Sequence, residues 1–367
     1  MISWALISGK LKKAKSLDCF ILLKFIRVQL MTTDCYEIMG FGFDHLKPAR
    51  REIGKVEDHE VLVNLQAWSL NYRDLMMIKG HYNPKLKMPI IPLSDGCGVV
   101  VETGSKVTDF KVGDKVCPNF MLDYQSGSLN KKWVAQALGG AIDGVLAKTL
   151  KFSENGLVKI PDHLTFSEGA TLPCAALTAW SSLFHYARIK PGDTILTYGS
   201  GGVSIFAISF AKMAGAKIIV VSAKEEKYQE LKAHGATECL NYKTNSKWDD
   251  HVLELTNGNG VDQVIELGGA NTLEKSVRVC KLNGTISLIG VLAGIGNFNP
   301  ISILMKAIKL QGIFVGNKSM FEEMNEAITL HKIKPAIDSK KFKYETVIDA
   351  YKYFDQGIHF GKVVINL

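Results

Sequence analysis

The chain has 367 residues, more than one hydrophobic core usually accommodates, and its length therefore predicts two domains. Hydrophobic residues make up 47% of the chain and charged residues 22%, a composition that excludes a disordered protein. The net charge is +8, but the basic residues are scattered, which argues against a nucleic-acid partner and suits an anionic cofactor. Seven cysteines without a C-x-x-C pair predict free thiols in a reducing compartment such as the cytoplasm.

Residues 1–30 form a basic N-terminal extension with one acidic residue, Asp18. Its apolar run Cys19–Leu23 is too short to cross a bilayer, so we predict no membrane span. A basic, acid-poor leader is also typical of organelle targeting, although no clear cleavage site follows. We favour a plain extension ahead of a domain that begins near Met31, and targeting stays open.

Residues 31–160 contain short runs of β-forming residues separated by glycine and proline, which predict a β-rich domain. The predicted strands are Glu60–Ala67, Gly98–Glu102, Lys115–Cys117 and Leu157–Ile160. Between them, Tyr72 and Arg73 are expected in an extended segment, with their side chains on opposite faces.

Residues 161–317 alternate between strands and helices, which predicts an α/β Rossmann domain with a parallel sheet. The predicted strands are Thr194–Tyr198, Lys217–Val221, Val261–Leu267 and Gly284–Gly290, with helices from Gly202, Glu225 and Asn271. Residues 318–367 are expected to return to the first domain. Their predicted elements are helices Met320–His331 and Tyr344–Phe354 and the strand Lys362–Ile365.

A glycine-rich turn joins the strand Thr194–Tyr198 to the next helix, the order found in dinucleotide-binding sites. Gly199 would allow a tight turn, and Gly201 would let a pyrophosphate approach the backbone at the helix N-terminus. Ser204 replaces the third glycine of the usual pattern and is expected to loosen the packing of helix against strand. The predicted cofactor-binding residues of the turn are Gly199, Ser200, Gly201, Gly202 and Val203.

The end of the next strand indicates which dinucleotide binds. An NAD site usually places a carboxylate there, whereas this chain has Ser222, followed by Lys224 and Lys227. A hydroxyl and two ammonium groups favour a ribose 2′-phosphate, so NADPH is predicted and NADH is less favoured. Glu225 and Glu226 weigh against this, and the lysines could simply form a solvated helix turn.

Together these residues resemble the medium-chain dehydrogenase/reductase superfamily, and within it the zinc-free quinone oxidoreductase group related to zeta-crystallin. The resemblance extends from Met31 to Leu367 and rests on the segments Ser69–Asp74, Pro92–Val99, Gly113–Val116, Leu172–Trp180, the glycine turn and Gly361–Val364. It implies a GroES-like β-rich catalytic domain over 31–160 and 318–367, enclosing a Rossmann dinucleotide-binding domain over 161–317. It also implies a homodimer formed through Rossmann edge strands such as Gln311–Val315.

The resemblance also implies roles for individual residues. Asn71 and Asp74 would stand at the nicotinamide end as catalytic residues, and Thr178 would lie beside the cofactor. Lys227 and Tyr242 would lie near the adenosine 2′-phosphate. The nicotinamide mononucleotide would be lined by Gly268, Ile289 and Val291.

The resemblance further implies that no zinc is bound. Zinc-dependent relatives have a cysteine where Asn71 stands and a Gly-His-Glu motif near Asp95, and they hold a structural zinc with four closely spaced cysteines that this chain lacks. Cys174 matches a zinc-ligating cysteine of those relatives, but with only Asp95 and an amide beside it we interpret it as a packed thiol.

Without a Lewis acid, conjugated acceptors become better substrates than simple aldehydes. We therefore predict NADPH-dependent hydride transfer to a quinone or an α,β-unsaturated carbonyl, with Asn71 as hydrogen-bond donor to the developing oxyanion. No proton donor is assigned. Two alternatives stay open: a zinc-independent alcohol or aldehyde oxidoreductase, and an NADPH-binding protein without turnover.

Overall fold

The computed structural model describes residues 31–290 and 296–367, so the extension over 1–30 and the predicted site residue Val291 lie outside the described residues. The strands are β1 Thr32–Ile38, β2 Leu46–Glu52, β3 Glu60–Ser69, β4 Asp95–Thr103, β5 Lys115–Pro118, β6 Thr149–Ser153, β7 Leu157–Lys159, β8 Thr194–Tyr198, β9 Lys217–Val221, β10 Glu238–Leu240, β11 Val261–Glu266, β12 Cys280–Leu288, β13 Lys309–Gly312, β14 Phe342–Lys343 and β15 Val364–Asn366. Within these ranges, no helix has the length and apolar character needed to cross a membrane.

The α-helices lie mostly in the second half of the chain. They are Tyr72–Ile78, Lys131–Val134, Phe166–Gly169, Leu177–Trp180, Gly202–Met213, Tyr228–His234, Trp248–Leu255, Ala270–Val279, Ile301–Met305, Lys318–His331 and Val347–Asp355. Two π-helical segments, Leu172–Ala176 and Ser181–Ala187, flank the helix Leu177–Trp180.

A six-stranded sheet in the order β10-β9-β8-β11-β12-β13 forms the dinucleotide-binding type of architecture that the strand and helix alternation predicts. All its pairings are parallel. The helix Gly202–Met213 buries Ile205, Phe206 and Phe210 in the apolar core on one side of this sheet. The predicted Rossmann fold is therefore confirmed.

The β-rich part is built on a seven-stranded, mainly antiparallel sheet in which β3 is central. The C-terminal strand β15 pairs antiparallel with β3, with Ile365 opposite Trp68. Because of this pairing the end of the chain returns to the β-rich sheet, as the sequence predicts. The GroES-like fold is confirmed, while the exact domain boundaries stay a prediction.

Two local expectations are wrong, and an expected edge strand has different bounds. Tyr72 and Arg73 lie in the helix Tyr72–Ile78 and not in an extended segment, because Asp74 caps this helix by accepting the backbone N–H of Asn71 at 2.8 Å. The expected edge strand Gln311–Val315 is β13, which ends at Gly312. Ser204 does not loosen the packing, because its buried hydroxyl donates to the carbonyl of Tyr198 and ties the helix to β8.

Candidate active site

The glycine turn lies at the carboxyl end of β8, with Gly201 as N-cap of the helix Gly202–Met213. Gly199 has φ +73°, a conformation that favours glycine. A Cβ atom on Gly201 would meet no atom within 4 Å, so the backbone here faces open space. Open space in front of helix N–H groups suits the pyrophosphate that the sequence places over Gly201–Val203.

The C-terminal segment crosses this turn. The backbone N–H of Gly361 donates to the carbonyl of Ser200 at 2.9 Å. Gly361 has φ +63°, and a Cβ atom there would lie 2.3 Å from the carbonyl oxygen of Ala336, so only glycine fits. The next side chain, Lys362, passes beside Gly202, where a Cβ atom would lie 2.5 Å from its Cδ. The turn and the C-terminal segment are therefore packed too closely for side chains at these glycines.

The Lys362 ammonium ends in a buried polar cluster with Asn71 and Asp95. Lys362 is 2% exposed, Asn71 8% and Asp95 0%. The ammonium donates to the carbonyl of Leu70 at 2.7 Å and to Oδ1 of Asn71, and it lies 3.6 Å from Oδ2 of Asp95. The Nδ2 atom of Asn71 is buried and has no hydrogen-bond partner among the described residues. The cluster therefore holds one compensated cation and one amide donor that is not used.

Asp74 is completely buried next to this cluster, where it caps the helix that follows Asn71. Burial raises the pKa of its carboxyl to about 6, and the Asp95 charge adds to this, while the Arg73 guanidinium opposes it. Arg73 donates to the carbonyl of Leu138 at 3.0 Å and lies over the ring of Phe120. The geometry gives Asp74 a role in holding Asn71 in place.

A zinc ion does not fit the chemistry of this cluster. Zinc needs deprotonated thiolate, neutral imidazole or carboxylate ligands. In the metal-free protein, burial raises the pKa of the Cys174 thiol well above its usual range, and the Asp95 charge adds to this. The Asp95 carboxylate already faces the Lys362 cation. Among residues 31–290 and 296–367, no three His, Cys, Asp or Glu side chains come together as a metal site would require.

Of the predicted 2′-phosphate residues, Ser222 and Lys227 follow β9, and Tyr242 follows the neighbouring parallel strand β10. The backbone N–H of Ser222 donates to the carbonyl of Leu240 at 2.9 Å, which brings β10 and the following Tyr242 alongside, and Tyr242 is 48% exposed. The Lys227 ammonium donates to the carbonyls of Ile358, at 2.7 Å, and His359. Burial and the Lys224 charge lower the pKa of Lys227 to about 8, so it stays cationic at neutral pH.

Gly268 and Ile289, the two described residues of those predicted along the nicotinamide mononucleotide, meet at Glu266, the last residue of β11. Its buried carboxylate accepts the backbone N–H of Gly268 at 2.8 Å, and its carbonyl accepts the N–H of Ile289 at 3.0 Å. Hydroxyls of Thr272 and Ser276 also donate to this carboxylate. Glu266 thus fixes the two backbone segments that carry Gly268 and Ile289. Thr178 is buried in the helix Leu177–Trp180, which packs on the helix after the glycine turn.

Sequence reasoning missed Lys362 and Glu266 as site residues. The segment Gly361–Val364 contributes to the family resemblance, yet nothing local shows that Lys362 reaches a residue at position 71. Glu266 carries a clearer signal, because a carboxylate at the end of a buried strand, followed by Gly268 and Gly269, needs donors from the turn after it.

Two family models match the chain, one described as "Alcohol dehydrogenase GroES-like domain" over residues 57–162 and one as "Zinc-binding dehydrogenase" over residues 202–330. A zinc-type alcohol dehydrogenase-like protein of Schizosaccharomyces pombe is 42% identical over 334 residues, covering 89% of this chain and 96% of that protein. A quinone oxidoreductase-like protein 2 homolog of Nematostella vectensis is 30% identical and covers 84% of this chain and 81% of its own length.

Among solved structures, a putative alcohol dehydrogenase from Sinorhizobium meliloti 1021 superposes with a TM-score of 0.85 at 34% identity, covering 92% of this chain and 99% of that one. The relatives thus include both alcohol dehydrogenase-like and quinone oxidoreductase-like proteins. With these matches over nearly the whole described chain, the protein is an oxidoreductase that belongs to the medium-chain dehydrogenase/reductase superfamily.

Proposed function

We propose that this protein uses NADPH to transfer hydride to a quinone or an α,β-unsaturated carbonyl compound, without a catalytic zinc. The observation that carries the proposal is the buried Nδ2 atom of Asn71, an amide donor with no partner among the described residues. A buried donor without a partner is costly unless a ligand supplies the acceptor. The oxygen of a conjugated carbonyl compound would be that acceptor.

The chemistry of the acceptor follows from the cluster around Asn71. A bound nicotinamide would supply hydride, which would add at the far end of a conjugated acceptor and leave negative charge on the oxygen. Water would then supply the proton that completes the reduction. Amide N–H groups stabilise such an oxyanion without a metal. The Lys362 charge, held on Oδ1 of the same amide, polarises it and makes its N–H groups stronger donors.

The preference for NADPH is supported by the groups around Ser222. Ser222 offers a neutral hydroxyl where a carboxylate would repel a 2′-phosphate, and Lys224 and Lys227 follow it two and five residues later. The nearby His359 adds no charge at neutral pH, because burial and the Lys227 charge lower its pKa to about 4. Two ammonium groups and a hydroxyl therefore form the proposed phosphate contact.

A zinc-independent alcohol or aldehyde oxidoreductase is the second candidate, favoured by the alcohol dehydrogenase-like names of two of the relatives. The experiment that separates the candidates measures initial NADPH oxidation with a quinone, an open-chain enone and a saturated aldehyde in parallel. Turnover confined to the conjugated acceptors supports our proposal, and turnover of the aldehyde alone supports the second candidate. NADPH binding without any turnover would indicate a non-catalytic binding protein.

Assembly and location are part of the same proposal. β13 is the last strand of the parallel sheet in the described part of the chain, and the preceding helix Ile301–Met305 exposes Leu304 to 77%. An open edge beside exposed apolar side chains supports a homodimer formed through β13. Sedimentation should then give a dimer mass, and Leu304→Asp should shift it toward the monomer. The six described cysteines are unpaired, which supports a reducing cytoplasmic location.

A further inference from the structure

Lys362 is a lysine whose ammonium lies inside the protein, 292 residues along the chain from one of its two hydrogen-bond acceptors. It donates to the carbonyl of Leu70 and to Oδ1 of Asn71, and its remaining side faces Oδ2 of Asp95 at 3.6 Å. Asp95 is fully buried, and its other oxygen, Oδ1, accepts from the Ser94 hydroxyl at 2.8 Å. Burying a charged pair is costly, so an arrangement of this kind requires a reason beyond packing.

We propose that Lys362 is a positioning residue that sets the orientation of the Asn71 amide for the reaction. An ammonium group donates three hydrogen bonds and accepts none, so the amide oxygen and not the amide nitrogen must face it. With Oδ1 held by Lys362, both N–H bonds of Nδ2 remain free for a ligand. Asp95 keeps the ammonium in place, because its carboxylate is the only anion that the described residues place within salt-bridge distance of Lys362.

The path of the Lys362 side chain adds a second role. Its methylene groups fill the space beside Gly202, and the preceding residue, Gly361, is hydrogen-bonded to Ser200. One residue therefore contacts both the glycine turn and the amide donor. Any displacement of the turn moves Lys362, and with it the ammonium donor that orients the Asn71 amide.

This inference rests on the proposed function, in which Asn71 is the oxyanion donor, and a double-mutant cycle tests it. Kinetics are measured for Asn71→Ala, Lys362→Met and the double variant, using the acceptor that the wild type reduces fastest. Removal of an oxyanion donor typically lowers kcat about 10²-fold to 10³-fold. We expect Lys362→Met to lower kcat at least about tenfold, because a freely flipping amide presents its donors only part of the time. NADPH affinity should stay within about threefold of the wild type.

The double variant decides whether Lys362 acts through Asn71. If it does, Lys362→Met causes no further loss of kcat once Asn71 is alanine. Losses that multiply in the double variant, or a Lys362→Met variant with wild-type kcat, would overturn the inference. Because Lys362→Met leaves Asp95 unpaired, the same kinetics are repeated on Lys362→Met/Asp95→Asn. We expect that variant to regain the wild-type unfolding midpoint while its kcat stays low.

An acceptor-free measurement separates this inference from the proposed function. In protein labelled with ¹⁵N-asparagine, the Asn71 side-chain amide signal is identified by its loss in Asn71→Asp. Lys362→Met removes the ammonium group that donates to Oδ1, so it should shift that signal. An unchanged signal would refute the contact. Should the wild type reduce none of the three acceptors, the proposed function fails while the NMR result still decides whether Lys362 orients the amide.

Discussion

Two adjacent glycines of the turn should respond in opposite ways to the same substitution. Gly201 has φ −80° and ψ 176°, which alanine adopts freely, and a Cβ atom there meets nothing within 4 Å. Gly201→Ala should therefore change the free energy of unfolding by less than about 1 kcal/mol, since the restriction of the unfolded chain by alanine is offset by the loss of a better N-cap residue. The added methyl group instead occupies the space proposed for the pyrophosphate, so NADPH affinity should fall at least about tenfold, or about 1.4 kcal/mol.

Gly202→Ala should instead lower the free energy of unfolding. The new Cβ would lie 2.5 Å from Cδ of Lys362 and 3.2 Å from Cβ of Ala175. Lys362 has little freedom to move away, because its ammonium is held by Leu70 and Asn71. Overpacking of a core typically lowers the free energy of unfolding by about 1–3 kcal/mol. Alanine in place of glycine stabilises a helix by up to about 1 kcal/mol, which offsets part of that loss. We expect a net loss of about 1–2 kcal/mol.

Urea unfolding and the quenching of NADPH fluorescence measure the two effects independently on the same three proteins. A Gly201→Ala variant that binds NADPH like the wild type would refute the placement of the pyrophosphate. A Gly202→Ala variant as stable as the wild type would show that Lys362 is not held where the structure has it. The wild type serves as the common reference for both comparisons.

Three further predictions address the cofactor, the metal and the buried acid. Ser222→Asp should weaken the binding of NADPH far more than that of NADH in parallel titrations, because it places a carboxylate against the 2′-phosphate. Equal losses of affinity would count against a preference for NADPH. Activity should survive prolonged chelation, with no stoichiometric zinc in metal analysis, and a chelator-sensitive enzyme would show the site to be misjudged. The folded pKa of Asp74, about 6, lies above its ordinary value of 3.8, so ionisation should cost stability as pH rises from about 4 to 6. Asp74→Asn, compared with the wild type by urea unfolding, should therefore gain about 2 kcal/mol relative to the wild type between pH 4.5 and pH 7, and a constant difference would contradict this.

The parts of the fold that local sequence determines could be predicted. The strand Thr194–Tyr198 is observed with the predicted bounds, and the helix after it begins at Gly202 as predicted. Both follow from hydrophobic periodicity and glycine positions within about twenty residues. The helix Tyr72–Ile78 could have been predicted too, because Asn71 and Asp74 stand at the spacing of a capping pair.

The contacts that build the candidate site could not be predicted in the same way. Lys362 meets Asn71 across 291 residues of the chain, and Lys227 meets the carbonyls of residues 358 and 359 across 131 and 132 residues. No periodicity or spacing rule relates residues so far apart, because their proximity depends on how β15 docks on β3. The sequence indicated that the C-terminal segment returns to the first domain, but not that it passes over the glycine turn.

The path of the C-terminal segment over the glycine turn should also affect which cofactor is preferred. Lys227 donates to the carbonyls of Ile358 and His359, and Lys224 donates to that of Gly357. An ammonium group has three N–H donors, so Lys227 keeps one and Lys224 keeps two for a 2′-phosphate. The phosphate shares these charges with the backbone carbonyls, so we expect the two lysines to favour NADPH less than unengaged ammonium groups would. The neutral Ser222 avoids repulsion without any such sharing, and we therefore expect the preference for NADPH to depend mainly on Ser222.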